Sequence, residues 1–177
     1  MAAKFPNSKF IGFDLSETAI QQARSKAKEQ NITNVTFEVQ DATQLPPDWT
    51  NRFEYVFVHD LIHDLPQPPL GVKALAAIVK PNGHLSIVDM IYHSKLEENI
   101  GLPQGNIRFT TSIFYCMGCS LYFGGEGAGV GYGHDRISQH VEEAGMQVKG
   151  VHPFPQAANL LHISALKPLN KPCSHYV

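Results

Sequence analysis

Short β-branched runs alternate with single amphipathic stretches from Lys9 to Met90, and no other feature of the sequence constrains the fold as strongly. Lys9-Phe-Ile-Gly-Phe-Asp14 reads as a strand ending in an acid. Ser16 follows as an N-cap, with Glu17 favourably placed against the helix dipole. Ala19, Ile20, Ala23 and Ala27 then recur at helical spacing from Glu17 to Gln30, opposite Arg24, Lys28 and Glu29, and Asn31 is the stop. The next strand is Val35 to Gln40, followed by Asp41-Ala42 and a proline-bearing loop through Trp49. Tyr55-Val-Phe-Val58 is apolar on both faces, as in a central strand of a parallel sheet, and ends at His59-Asp60. A helix over Pro69 to Val79 leads through Lys80-Pro-Asn-Gly83 into the strand Leu85 to Met90. Strands joined by single helices require right-handed crossovers, so the expected class is α/β, a doubly wound, mostly parallel sheet with helices on both faces.

The alternation stops at Ile91. Residues 91–133 read as a cap or insert: an apolar segment from Phe109 to Phe123, then a glycine-rich run from Gly124 to Gly133, expected to be a mobile lid or substrate loop. A helix over Asp135 to Ala144 ends at Gly145. Met146 to Val151 and Leu160 to Leu166 are close enough to close the sheet as a C-terminal antiparallel strand pair. Residues 1–167 are thus expected to form one domain, with 168–177 a disordered tail.

The chain has 177 residues, 43% of them hydrophobic, which suits one domain with a real core. A net charge of −2 offers no broad footprint for a polyanion, so a small-molecule substrate is expected and nucleic acid is not. No run approaches about 18 uninterrupted apolar residues, and Met1 to Pro6 lacks the apolar stretch of a signal peptide. With three cysteines that cannot all pair within one chain, the expectation is a cytoplasmic protein with reduced thiols and no membrane partner.

Ligands of doubly wound sheets sit beyond the carboxyl ends of the strands. Asp14, Asp41, His59 and Asp89 fall at or just past those ends, although strand ends commonly carry polar residues for no other reason than loop entry. The order of elements and these strand-end residues resemble the class I S-adenosylmethionine-dependent methyltransferases, from Phe10 to about Lys167. Asp14 in Ile-Gly-Phe-Asp-Leu-Ser stands where that family holds the cofactor's ribose hydroxyls, with Leu15 beside it, and Val-Gln-Asp41-Ala42 stands where an acid and a small residue meet the adenine amine and ring. His59 matches the position near the methionine part and the transferred methyl, and is the catalytic candidate. Lys80-Pro-Asn-Gly83 resembles the family's Leu-Lys-Pro-Gly-Gly turn. The resemblance implies a Rossmann-like methyltransferase fold, S-adenosylmethionine as cofactor, and methyl transfer to a small acceptor.

One departure stands beside these matches. The family begins with a first strand and an acid-x-Gly-x-Gly loop, and only Met1 to Ser8 precede the strand that ends in Asp14, so the fold is expected to be truncated at its N-terminus. This raises an alternative, an inactive remnant or interaction module, as a homodimer or with a strand-supplying partner. A nicotinamide-dependent oxidoreductase shares the acid at Asp14, but Asp41-Ala42 and the closing strand pair favour the methyltransferase.

His59-Asp60 and His63-Asp64 would align as metal ligands on a helix; Pro66 and Pro68 favour an irregular loop near the cofactor, and no metal is expected. Cys116-Met-Gly-Cys119 has redox or half-zinc spacing without a second pair, so core or pocket-lining thiols are expected. Phe109, Phe114, Tyr115, Tyr122 and Phe123 suit either an apolar pocket or plain core packing. The absence of a Gly-x-Ser-x-Gly elbow removes support for a serine hydrolase.

Overall fold

Alternating strands and helices do form, and a computed structural model describes them over residues 1–102, 104–155 and 157–169. The elements in chain order are β1 (Phe10–Asp14), α1 (Glu17–Glu29), β2 (Val35–Val39), β3 (Phe53–His59), α2 (Pro68–Ile78), β4 (Val79–Met90), α3 (Gly105–Phe114), α4 (Cys116–Tyr122), α5 (His134–Glu143), β5 (Gln147–Pro153) and β6 (Leu160–Leu166), with short 3-10 turns between. The chain divides into two compact units, Met1–Leu45 and Pro46–Val177. Residues 170–177, most of the expected disordered tail, lie outside the described residues.

In the first unit β1 and β2 pair in parallel, from Phe10 opposite Val35 to Asp14 opposite Val39, with α1 as the crossover. The Ser16 side chain accepts from the Ala19 amide at 3.2 Å, so the cap forms as its residue type dictates. Ile20 buries the apolar stripe of α1, and the Arg24 guanidinium donates to the Phe37 carbonyl at 2.6 Å, tying helix to strand. Gly12 is required by packing, because a Cβ there would sit 2.8 Å from the Phe37 ring.

The second unit carries a four-stranded sheet in the order β3-β4-β6-β5. β3 and β4 are parallel, while β6 runs antiparallel to both of its neighbours. The closing pair therefore enters the sheet with its last strand inside, against β4, and β5 at the edge. Two-residue alternation explains the burial: Val56, Val58, Leu85, Ile87, Ile163 and Ala165 are buried in the sheet, as are Val72 and Leu75 of α2 and Ile137 and Val141 of α5. Gly83 permits the tight passage at the start of β4, since a Cβ would lie 2.8 Å from the Glu54 carbonyl oxygen. β3 departs from expectation. It is the terminal strand of this sheet, and Tyr55 and Phe57 are 47% and 43% exposed, because nothing described in this unit covers that face.

The insert that shows no strand period is helical, as α3 and α4. The glycine-rich run, expected to be a mobile lid, is a series of close backbone approaches. A Cβ at Gly125 would overlap the Pro66 backbone, one at Gly129 the Ser112 hydroxyl, and one at Gly133 the Ser94 backbone. Gly129 and Gly133 also have φ of 59° and 82°, which side chains other than hydrogen rarely adopt.

Candidate functional site

Asp14 and Asp41 occupy the carboxyl ends of adjacent parallel strands. The Gln40 amide donates to the Asp14 carbonyl at 3.0 Å, so the ladder runs past β2 and sets the two acids at one end of the first unit's sheet. Each carboxylate is steadied by its own loop through one oxygen. Asp14 Oδ1 accepts from the Ser16 amide at 2.8 Å; Asp41 Oδ1 accepts from the Thr43 amide at 2.8 Å and from its hydroxyl at 2.7 Å. Among the described residues no hydrogen bond to Oδ2 of either acid is seen, and a carboxylate oxygen is the kind of acceptor that sugar hydroxyls or an aromatic amine would use. Leu15 is exposed beside Asp14 and Ala42 is buried behind Asp41.

In the second unit His59 ends β3, exposed, with its ring 6.2 Å from that of Phe57. Asp60 takes φ of 54° while its amide still donates to the Val88 carbonyl at 2.8 Å, so the chain turns sharply off the sheet. Ile62–Asp64 continue as a 3-10 turn, not an α-helix, and the i, i+4 alignment of His59 with His63 does not arise.

The turn instead drives His63 into the core. His63 is 2% exposed and Asp89, near the end of β4, is 0% exposed; Nδ1 of the ring lies 2.6 Å from Asp89 Oδ1. The Asp89 carboxylate also accepts from the Ile62 amide at 3.0 Å and the Met90 amide at 2.7 Å. On its other side the ring places Nε2 3.3 Å from Asp64 Oδ1. Burial pushes the His63 pKa down, but the hydrogen bond and charge of Asp89, with Asp64 and Asp60 behind them, outweigh it and raise the pKa above its ordinary value. Cys116 completes a cluster with His63 and Asp64 in which the donor atoms lie within 4.8 Å of one another. Burial and the Asp64 carboxylate push its thiol up to about 12, so at neutral pH the thiol is protonated. Cys119, its CxxC partner, is likewise a free thiol, half-buried.

In the sequence His63 and Asp89 stand apart, one as a possible metal ligand in an irregular loop and the other as a strand-end polar on the expected cofactor edge. A signal was present: Leu-Ser-Ile-Val-Asp-Met is apolar on both sides of its acid, and a carboxylate inside such a strand must find donors. Of the five aromatics between Phe109 and Phe123, Phe109 packs on Tyr92 with centroids 5.3 Å apart, whereas Phe114, Tyr115, Tyr122 and Phe123 are exposed. An open groove of about 930 Å³ runs along this region, with Leu96, Ile100, Leu102, Ile107 and Phe109 among its walls.

Comparison with known proteins bears on the family and the fold. The family described as "Methyltransferase domain" matches residues 1–144. A ubiquinone biosynthesis O-methyltransferase of Coxiella burnetii is 34% identical over 74 residues, 42% of this chain and 31% of that protein. The match thus spans about a third of the relative's length. An O-methyltransferase family protein from Burkholderia thailandensis superimposes with TM-score 0.70 at 15% identity, over 96% of this chain and 46% of that one. A SAM-dependent methyltransferase from Aquifex aeolicus does so with TM-score 0.61 at 18% identity, over 90% of this chain and 69% of that one. With the strand-end acids, the β6 insertion and the family match in one chain, the protein belongs to the class I methyltransferase domain family.

Proposed function

We propose that this chain takes part in methyl transfer from S-adenosylmethionine to a hydroxyl of a small, largely apolar acceptor. The observation that carries this reading is the pair of acids at Asp14 and Asp41, each held by its own loop through one oxygen. Asp14, with Leu15 beside it, takes the ribose hydroxyls, and Asp41 and Ala42 take the adenine amine and ring. His59 is assigned to the methionine part only by the family resemblance of its position at the end of β3. An oxygen acceptor is supported by the curated relative's name, and an apolar one by the groove beside α3.

In the reaction the acceptor oxygen attacks the sulfonium methyl, the carbon–sulfur bond breaks, and S-adenosylhomocysteine leaves. The hydroxyl proton must go to a base, and His63 is the base proposed. Its Nε2 takes the proton while Asp89 balances the imidazolium charge.

Calorimetric titration with S-adenosylmethionine tests the cofactor assignment. Asp14→Ala should bind about ten- to hundredfold more weakly, the loss expected of hydrogen bonds to a charged acceptor. Equal affinity of variant and parent would overturn it. A second reading, an interaction module, is favoured by the place of β3 at the end of its four-stranded sheet among the described residues, with Tyr55 and Phe57 exposed. It predicts strand-mediated association without measurable cofactor binding, and the same titration separates the two.

A further inference from the structure

Outside the residues used above, four ligand-bearing side chains converge where the chain leaves β4 and enters α5. His93 Nδ1 lies 3.2 Å from Asp135 Oδ2 and 3.7 Å from Glu98 Oε2. His134 Nδ1 lies 3.3 Å from Asp135 Oδ1, so each imidazole faces its own oxygen of one carboxylate. The two rings are 4.5 Å apart between centroids. One donor atom each from His93, His134 and Asp135 falls within 4.8 Å of the others. We infer that His93, His134 and Asp135, with Glu98 closing the fourth side, form a binding site for a first-row divalent cation of the zinc class.

Three features favour an ion over a plain ion-pair cluster. Two imidazoles and one carboxylate, with a further acid at hand, are the donor set that holds zinc or iron in three-point sites with an open position. The charge also suits a dication, since the carboxylates of Asp135 and Glu98 both face the cluster.

The frame, finally, is built before any ion arrives. Buried Asn99 donates to the His93 carbonyl at 3.0 Å and accepts from the His93 amide at 2.8 Å, pinning both sides of that residue next to Glu98. The His134 amide donates to the Tyr92 carbonyl at 3.0 Å, and the Ser94 amide donates to Asp135 Oδ2 at 3.2 Å. Gly133 permits this approach, since any side chain would strike Ser94. With the backbone held this way, the three donor side chains of His93, His134 and Asp135 start close together, which limits the ordering that metal binding must supply.

The test uses the full chain without a histidine tag, stripped by a chelator and titrated with Zn²⁺ in a calorimeter. One ion per chain is expected, and affinity should fall at least about tenfold in both His134→Ala and Asp135→Asn, the effect of losing one ligand. His152→Ala, on β5 and outside the cluster, should bind as the parent does. Absorption-edge spectroscopy of the zinc-loaded parent gives a second readout that needs no variant: two imidazole nitrogens at about 2.0–2.1 Å with oxygen completing the shell. No binding by the parent, undiminished binding by either ligand variant, or a sulfur in the shell, which would assign the ion to the Cys116 cluster, overturns the inference. None of these outcomes depends on whether the chain transfers methyl groups.

Discussion

A carboxylate with no exposed surface persists only where donors surround it, and Asp89 has three: the His63 ring and the Ile62 and Met90 amides. Removing one member of such a pair strands the other. Asp89→Ala should therefore lower stability by about 3–5 kcal/mol, read as a shift in the urea unfolding midpoint at constant slope. The same pair sets a pH dependence. The folded-state pKa of His63 lies above the unfolded value, so its contribution to stability is complete below about pH 6.5 and is lost as pH rises through the folded value. Urea midpoints at about pH 6 and about pH 9 should show the parent less stable at the higher pH, and His63→Gln should flatten that difference. A profile as steep in the variant as in the parent would assign the effect to other groups. At this scale the sequence showed an acid near the end of an apolar strand and a histidine in an irregular loop. Their meeting was not legible, because a 3-10 turn launched from a left-handed Asp60 aims His63 inward.

Elements were the most legible level. The expected helix Glu17 to Gln30 is α1, Glu17–Glu29, and the strand Leu160 to Leu166 is β6 with those bounds, since capping and periodicity act within a few residues of chain. The insert was the exception. From Phe109 to Phe123 apolar residues crowd without a clean period, and α3 and α4 break at Tyr115, where φ of −125° and ψ of −76° interrupt the helical ladder. Glycines in this region act in opposite ways. Gly118 lies in exposed α4 with nothing within 4 Å of where a Cβ would sit, so Gly118→Ala should stabilise by about 0.5–1 kcal/mol through helix propensity. Gly125 meets the Pro66 backbone, while the Glu126 amide donates to the Pro66 carbonyl at 3.0 Å, so Gly125→Ala should destabilise by about 1–3 kcal/mol. Thermal melts of the two variants should move in opposite directions; a common direction would contradict this account of the loop.

Across the whole molecule the least expected property is how much apolar surface the described residues leave uncovered. Phe114 and Tyr122 are each 83% exposed, in a stretch from Ile107 to Phe123 that carries one charge, Arg108. Patches of this kind promote association. The double variant Phe114→Lys, Tyr122→Lys should lower concentration-dependent association in sedimentation velocity, and an unchanged distribution would show that the patch is not what associates. The sequence by itself determined the α/β class, the helix and strand order and the acids at strand ends, because periodicity, capping and turn chemistry are local properties of the chain. Only the tertiary structure decided that β6 runs between β4 and β5, that β3 ends its sheet with one face bare, and that His63 joins Asp89 and His93 meets His134. Those pairings span tens of residues, and what selects them is which buried polar group finds a partner and which apolar face finds cover, neither of which is written in any short stretch of the chain.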